Sequence, residues 1–198
     1  QWGGAAGPVE AVSGVLDGLL WAGFNMVELW PVDHDQRGLI HYRDMWMDQA
    51  DRKGMLLIGP ALPPNDIIGW EGAGWEKPGA KDRWRSRMSR EMRRFRNHPS
   101  VMMWAMGGNF FGHVQDQNPK VIGRKDWVPE ADLGFHKRAH AGFEALGLVK
   151  KEDPTRPVFT HQGAFVGDIN GTNTYLNFIP LQEREEWLSA WAQNGEQP

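Results

Sequence analysis

The chain has 198 residues, no cysteine and a formal net charge of −3. Its 40% hydrophobic and 24% charged residues describe a folded domain with a substantial core, which excludes wholesale disorder. The missing cysteines exclude disulfides, thiolate nucleophiles and cysteine-ligated metals; no apolar run nears the roughly 20 residues of a membrane-spanning helix, and a pI near 6.2 speaks against bulk polyanion binding.

In chain order, Pro8 suits the first turn of a helix. Val12, Leu16 and Leu19 continue it at helical spacing to a stop at Gly23. Met26 to Trp30 is a short apolar strand ended by Pro31. Tyr42, Trp46 and Ala50 mark a second helix stopped by Gly54, and Met55 to Ile58 a second strand ended by Gly59-Pro60. A glycine-rich loop from Asn65 to Gly79 carries Trp70 and Trp75. A third helix, about Lys81 to Arg96, sets Trp84, Met88, Met92 and Phe95 on one face. Val101 to Trp104 is a third strand, followed by a long loop to Pro129. Leu133 to Phe143 is a fourth helix with a stop at Gly147, and Pro157 to Thr160 a fourth strand. Thr172 to Phe178 is a fifth strand, and Leu181 to Gln193 the last helix.

Short apolar strands joined by helices imply right-handed crossovers and a parallel sheet buried on both faces. A doubly wound sheet and a (β/α)8 barrel both fit this pattern. The dinucleotide fingerprint G-x-G-x-x-G is absent, and the long, tryptophan-bearing loops follow strands while the helix-to-strand turns are tight. That asymmetry suits a barrel, whose site is built by the loops after the strands. Five strands are fewer than eight. Gln1 opens the chain without a signal-like segment, and Gly195 to Pro198 reads as a helix stop leading onward. The expectation is one partial barrel domain over residues 1–198, continuing past both ends, with the compartment left open.

Several features have a functional and a plain interpretation. Eleven tryptophans against two tyrosines could stack on sugar rings or fill a core, and the core is the default. The arginines between Arg83 and Arg96 could be a nucleic-acid footprint or the solvated face of a barrel helix. The net acidic chain favours the second. His136 and His140 have the i, i+4 spacing of zinc ligands, but Lys137 stands where a zinc protease has glutamate. Asp33 to Gly38 begins like a calcium loop and departs from it at Arg37 and Asp44. Asn170-Gly171-Thr172 matches a glycosylation acceptor, a pattern common by chance.

The most specific segment is Arg96-Asn97-His98-Pro99-Ser100, followed by Trp104-Ala105-Met106-Gly107-Gly108-Asn109. It resembles the glycoside hydrolase family 2 catalytic barrel, whose fourth strand is introduced by R-N-H-P-S and ends W-x-x-G-N-E. Gly23-Phe24-Asn25 is similar to that family's entry to barrel strand two, and Asp51 to Leu57 to its run into strand three. Asp153-Pro154-Thr155-Arg156-Pro157-Val158 resembles its approach to strand five, and Asn173-Thr174-Tyr175 its strand six. The resemblance implies a partial (β/α)8 TIM barrel, strands two to six, and hydrolysis of β-glycosidic bonds without cofactor or metal. The implied partner is a carbohydrate, with neither nucleic acid nor membrane; oligomeric state is left open.

The family's chemistry needs two carboxylic acids, one protonating the leaving oxygen and one attacking the anomeric carbon. Here the acid/base position falls on Asn109, and a one-residue shift puts Phe110 there. An amide is no proton donor for an unactivated leaving group. Glu28 is a second departure, at an interior place where the family usually has arginine. Asp116 is the favoured substitute acid, with His113 and Glu28 as other candidates. The resemblance puts the nucleophile on the strand after the last helix. Substrate contacts are expected from strand ends at Trp30, Trp104, His161 and Tyr175. The alternative is a carbohydrate-binding barrel that has lost hydrolysis, and a third function class is nucleic-acid binding through the arginine helix.

Overall fold

The computed structural model describes residues 9–29, 42–62, 64–69, 72–106, 133–161, 166–169, 171 and 179–194. Helix α1 (Val9–Trp21) leads into strand β1 (Met26–Glu28), and α2 (Tyr42–Lys53) into β2 (Leu56–Ala61). The short α3 (Asn65–Ile68), a 3-10 turn at Gly74–Glu76 and α4 (Ala80–Phe95) precede β3 (Val101–Ala105). Helix α5 (Leu133–Glu152) leads into β4 (Val158–Phe159), and a 3-10 turn at Leu181–Glu183 opens α6 (Arg184–Asn194). The expected fifth strand, Thr172 to Phe178, lies outside the described residues; ahead of it, Ile169 makes an isolated parallel bridge to Phe159.

The four strands among the described residues are parallel and lie in sequence order, β1-β2-β3-β4. A doubly wound sheet reverses its strand order at a switch point, whereas a barrel adds each strand beside the last. The sequential order therefore decides between the two architectures in favour of the barrel.

The helices form the outer layer. Val12 and Leu16 of α1, Trp46 and Met47 of α2, the Trp84–Met88–Met92–Phe95 stripe of α4, and Phe135, Ala141 and Val149 of α5 share one core with Leu57, Trp104 and Val158 of the sheet. Gly23 and Gly54 end α1 and α2 with φ of 88° and 74°, the left-handed stop that lets each chain turn straight into its strand. The arginines of α4 point outward as expected, Arg85 and Arg90 into solvent. Ion pairs link the helix ring: Arg43 to Glu91 and Arg94 to Asp44 join α2 to α4, and Arg93 to Glu152 joins α4 to α5. No helix among the described residues is long and apolar enough to cross a membrane.

Three expectations need correction. Strand β2 does not stop at Gly59-Pro60; it runs to Ala61 through a cis Gly59–Pro60 bond, with an irregular register against β3. Helix α5 does not stop at Gly147, because Val149 beyond it is fully buried and Lys150 reaches the Arg156 carbonyl. Packing overrides glycine's weak helix propensity there. The glycine-rich segment is not a plain loop: it contains α3 and a 3-10 turn, and its Trp75 is 1% exposed, stacked edge-on to Trp84 and donating to Glu144 Oε2 at 2.6 Å.

That segment has one tight contact. A Cβ on Gly74 would lie 1.8 Å from the Ile67 carbonyl oxygen and 2.8 Å from that of Ile68. Backbone cannot yield as a flexible side chain can. Gly74→Ala is expected to destabilise the fold by about 1–3 kcal/mol, read as a lowered urea midpoint; an unchanged midpoint contradicts the close approach.

Candidate active site

Parallel strands present all their C-terminal ends at one edge, the edge at which barrel enzymes carry their sites. Glu28 is the last residue of β1, and His161 lies two residues past the end of β4. Their side chains meet: His161 Nδ1 is 2.9 Å from one Glu28 carboxylate oxygen and 3.2 Å from the other. Each side chain is about one-fifth exposed, His161 at 19% and Glu28 at 22%.

This contact reports curvature. In a flat sheet the three inter-strand gaps between β1 and β4 would hold them about 14 Å apart, at roughly 4.8 Å per gap. Glutamate and imidazole meet only if the sheet curls and both side chains project from its concave face. The register agrees. Glu28 pairs with Ile58, Ile58 with Met103, and Ala105 with Phe159, so all five share that face. Phe159 also packs edge-on to the His161 ring, with centroids 6.4 Å apart.

Trp104 lies on the other face. It pairs with Val158, is 0% exposed, and sits in the core between sheet and helices. Its Nε1–H donates to Asp153 Oδ2 at 2.9 Å, and the Arg156 guanidinium lies 5.6 Å from its ring centroid. The expected substrate contact at Trp104 thus gives way to a structural role. Of the other expected site residues, Trp30, Asn109, Asp116 and Tyr175 lie outside the described residues, as do His113 and Trp70.

Two of the motifs that carry the family resemblance, R-N-H-P-S and D-P-T-R-P-V, lie at the opposite, N-terminal edge. Asp51 Oδ1 accepts the Ser100 backbone N–H at 2.9 Å, and its Oδ2 is 2.7 Å from His98 Nδ1. Burial pushes the Asp51 carboxyl up, but the bonds to Ser100 and His98 outweigh it and hold the group below the usual range. Asp153 accepts from Thr155 twice, from Trp104 and from Arg156. Arg156 also donates to the Arg96 and Val101 carbonyls, so D-P-T-R-P-V is docked directly onto R-N-H-P-S. These residues fix the base of the barrel wall and stand away from the chemistry.

Among the described residues, Glu76, His140 and Glu144 bring ligand atoms within 4.8 Å of one another. The Lys81 ammonium already bridges the two carboxylates at 3.1 and 2.8 Å, so this group is an ion-pair cluster on the outer face. His136 and His140, the helical histidine pair, are both exposed.

The model of the TIM barrel domain of glycosyl hydrolases family 2 matches residues 39–198. Among curated proteins none matches the chain in sequence. Among solved structures, a Bacteroides uniformis beta-glucuronidase is similar over 96% of this chain and 21% of its own, with 18% identity and a TM-score of 0.60. A GH2 beta-galacturonidase from Eisenbergiella tayi, bound to galacturonate, is similar over 97% of this chain and 30% of its own, with 17% identity and a TM-score of 0.57. A family 2 member from Bacteroides cellulosilyticus follows at 19% identity and a TM-score of 0.51, over 96% of this chain and 24% of its own. The chain thus spans between a fifth and a third of the structures it resembles. With the family model matching most of the chain and the strands in a barrel's sequential order, the protein belongs to glycosyl hydrolase family 2 and carries part of that family's TIM barrel domain.

Proposed function

We propose that the protein hydrolyses β-configured O-glycosidic bonds of a carbohydrate bound at the C-terminal mouth of the barrel. The observation that carries this reading is the convergence of Glu28 and His161 at that mouth, in a chain of a glycosidase family. A half-buried carboxylate–imidazole pair at the ends of two non-adjacent strands contributes nothing to the helix-facing core. It presents hydrogen-bonding groups of the kind sugar hydroxyls need.

In the proposed site Trp30 and Tyr175 supply further sugar contacts from the ends of their strands, and the nucleophile carboxylate belongs to the strand after α6. The resemblance puts the acid/base position on Asn109, and that substitution also favours the second reading, a barrel that binds sugar without cleaving it.

Aryl glycosides with good leaving groups separate the two, since their cleavage needs little acid assistance. The full-length protein that carries this chain is expected to release dinitrophenol from at least one member of a panel of dinitrophenyl β-glycosides. The panel includes neutral sugars and uronic acids. Saturable sugar binding with no release from any member would instead establish the binding-only barrel.

A further inference from the structure

We propose that Glu28 and His161 form the acid–base dyad of this barrel, His161 as the catalytic proton donor and Glu28 as its positioning residue. This rests on the glycosidase reading above and names the group that replaces the carboxylic acid missing at Asn109.

The geometry is that of an oriented imidazole. One ring nitrogen faces both oxygens of a carboxylate, at 2.9 and 3.2 Å. A carboxylate on Nδ1 fixes the ring plane, holds the proton on that nitrogen and stabilises the imidazolium, which leaves Nε2 as the nitrogen that exchanges a proton with substrate. The pair is anchored from opposite walls. Glu28 ends the first described strand and His161 lies two residues past the last, so the pair reaches across the mouth. The Phe159 ring bounds it from β4. The concave-face positions of the intervening strands, Ile58, Met103 and Ala105, carry no charge. Among these described positions the charge that faces His161 is the Glu28 carboxylate.

The step balances with water as the second substrate. Imidazolium Nε2–H passes its proton to the glycosidic oxygen as the bond from that oxygen to the anomeric carbon breaks, and the bonding electron pair stays on the departing oxygen. The anomeric carbon is captured by the carboxylate of the following strand, and water then displaces that ester. The water's oxygen forms the new bond to carbon, and the proton it loses returns to Nε2. Nothing is oxidised or reduced, and the dyad ends as it began.

Leaving-group dependence tests this in the full-length protein. His161→Gln is expected to cut kcat/KM on alkyl β-glycosides by about 100-fold or more, with little change in kcat/KM on dinitrophenyl glycosides, where kcat and KM fall together because the same ring is the base for the attacking water. It should also remove the alkaline limb of the wild-type pH–rate profile, which arises because only the protonated ring is an acid. Glu28→Gln keeps the shape of the side chain and should give a smaller loss in the same leaving-group-dependent sense, with the limb displaced. It carries the test by itself if the His161 variant does not fold. Retained kcat/KM on dinitrophenyl glycosides and an unchanged Tm show that each variant is intact.

A well-folded His161→Gln that loses kcat/KM on both substrate classes equally, or on neither, overturns the dyad. So does a selective loss on alkyl glycosides caused by Asp116→Asn and not by His161→Gln. In each of these cases dinitrophenyl turnover by the wild type leaves the glycosidase reading standing. A wild type inert toward every dinitrophenyl glycoside overturns both.

Discussion

Truncating Trp104 to alanine is expected to cost about 3–5 kcal/mol, the range for emptying a buried tryptophan site. The side chain is 0% exposed and fills the layer between β3 and the helices, so its removal leaves a void lined by residues that cannot collapse into it. The truncation also takes a donor from Asp153, at 2.9 Å, and the aromatic face from beneath Arg156. A domain is stable by only about 5–15 kcal/mol, so the variant should be at the edge of folding. Trp104→Phe separates the contributions: it keeps an aromatic ring and drops the N–H, and should lose about 1–3 kcal/mol. Urea unfolding of both variants checks the two numbers. In the full-length protein, Trp104→Phe should leave KM for glycosides unchanged, because the indole faces the helices. A raised KM with unaltered stability would return Trp104 to the sugar site.

That reassignment indicates what was legible in the sequence. The apolar spacing of Trp84, Met88, Met92 and Phe95 marked α4 and its buried face, because an amphipathic helix writes its orientation into a 3.6-residue period. A parallel strand buried on both sides writes no such period. Val101 to Ala105 reads as a strand, but nothing in V-M-M-W-A says which residues face the barrel interior. The register irregularity between β2 and β3, where Ile58 pairs with Met103 rather than Met102, shifts the alternation further. The sequence pattern therefore points Trp104 at the mouth, whereas its side chain lies against the helices.

The motifs were legible for a different reason. R-N-H-P-S and D-P-T-R-P-V are specific because their side chains interlock, Arg156 with the Arg96 and Val101 carbonyls and Asp51 with His98 and Ser100. Such a network constrains residue identity tightly at the structural end of the barrel. At the catalytic edge Glu28 stood out as a departure and His161 as a strand-end residue, but their partnership could not be read. They are 133 positions apart, and only the curl of the sheet brings them together.

Acid should loosen the N-terminal edge of the barrel first, and Asp153 sets where. Burial pushes its carboxyl up, but bonds from Thr155, Trp104 and Arg156 outweigh it and hold the group well below the usual carboxylate range. Asp51 is lowered in the same sense by Ser100 and His98, against its burial. A carboxyl with a depressed folded-state pKa stabilises the fold fully above its unfolded value of about 3.9. That contribution fades as the pH falls from there toward the folded-state value. These two groups therefore leave stability flat from neutrality down to about pH 5 and steepen its loss below about pH 4. Asp153→Asn keeps the shape, removes the charge and should cost about 2 kcal/mol at pH 7, the scale of charge-assisted hydrogen bonds. Its deficit relative to wild type should then shrink as the pH drops below about 4, because there the unfolded wild type takes up the proton that the folded Asp153 carboxylate still resists. Urea midpoints of wild type and Asp153→Asn between pH 7 and pH 3 measure this directly. A deficit that stays constant or widens in acid would mean that the Asp153 carboxylate contributes packing and no charge to the Trp104–Arg156 cluster.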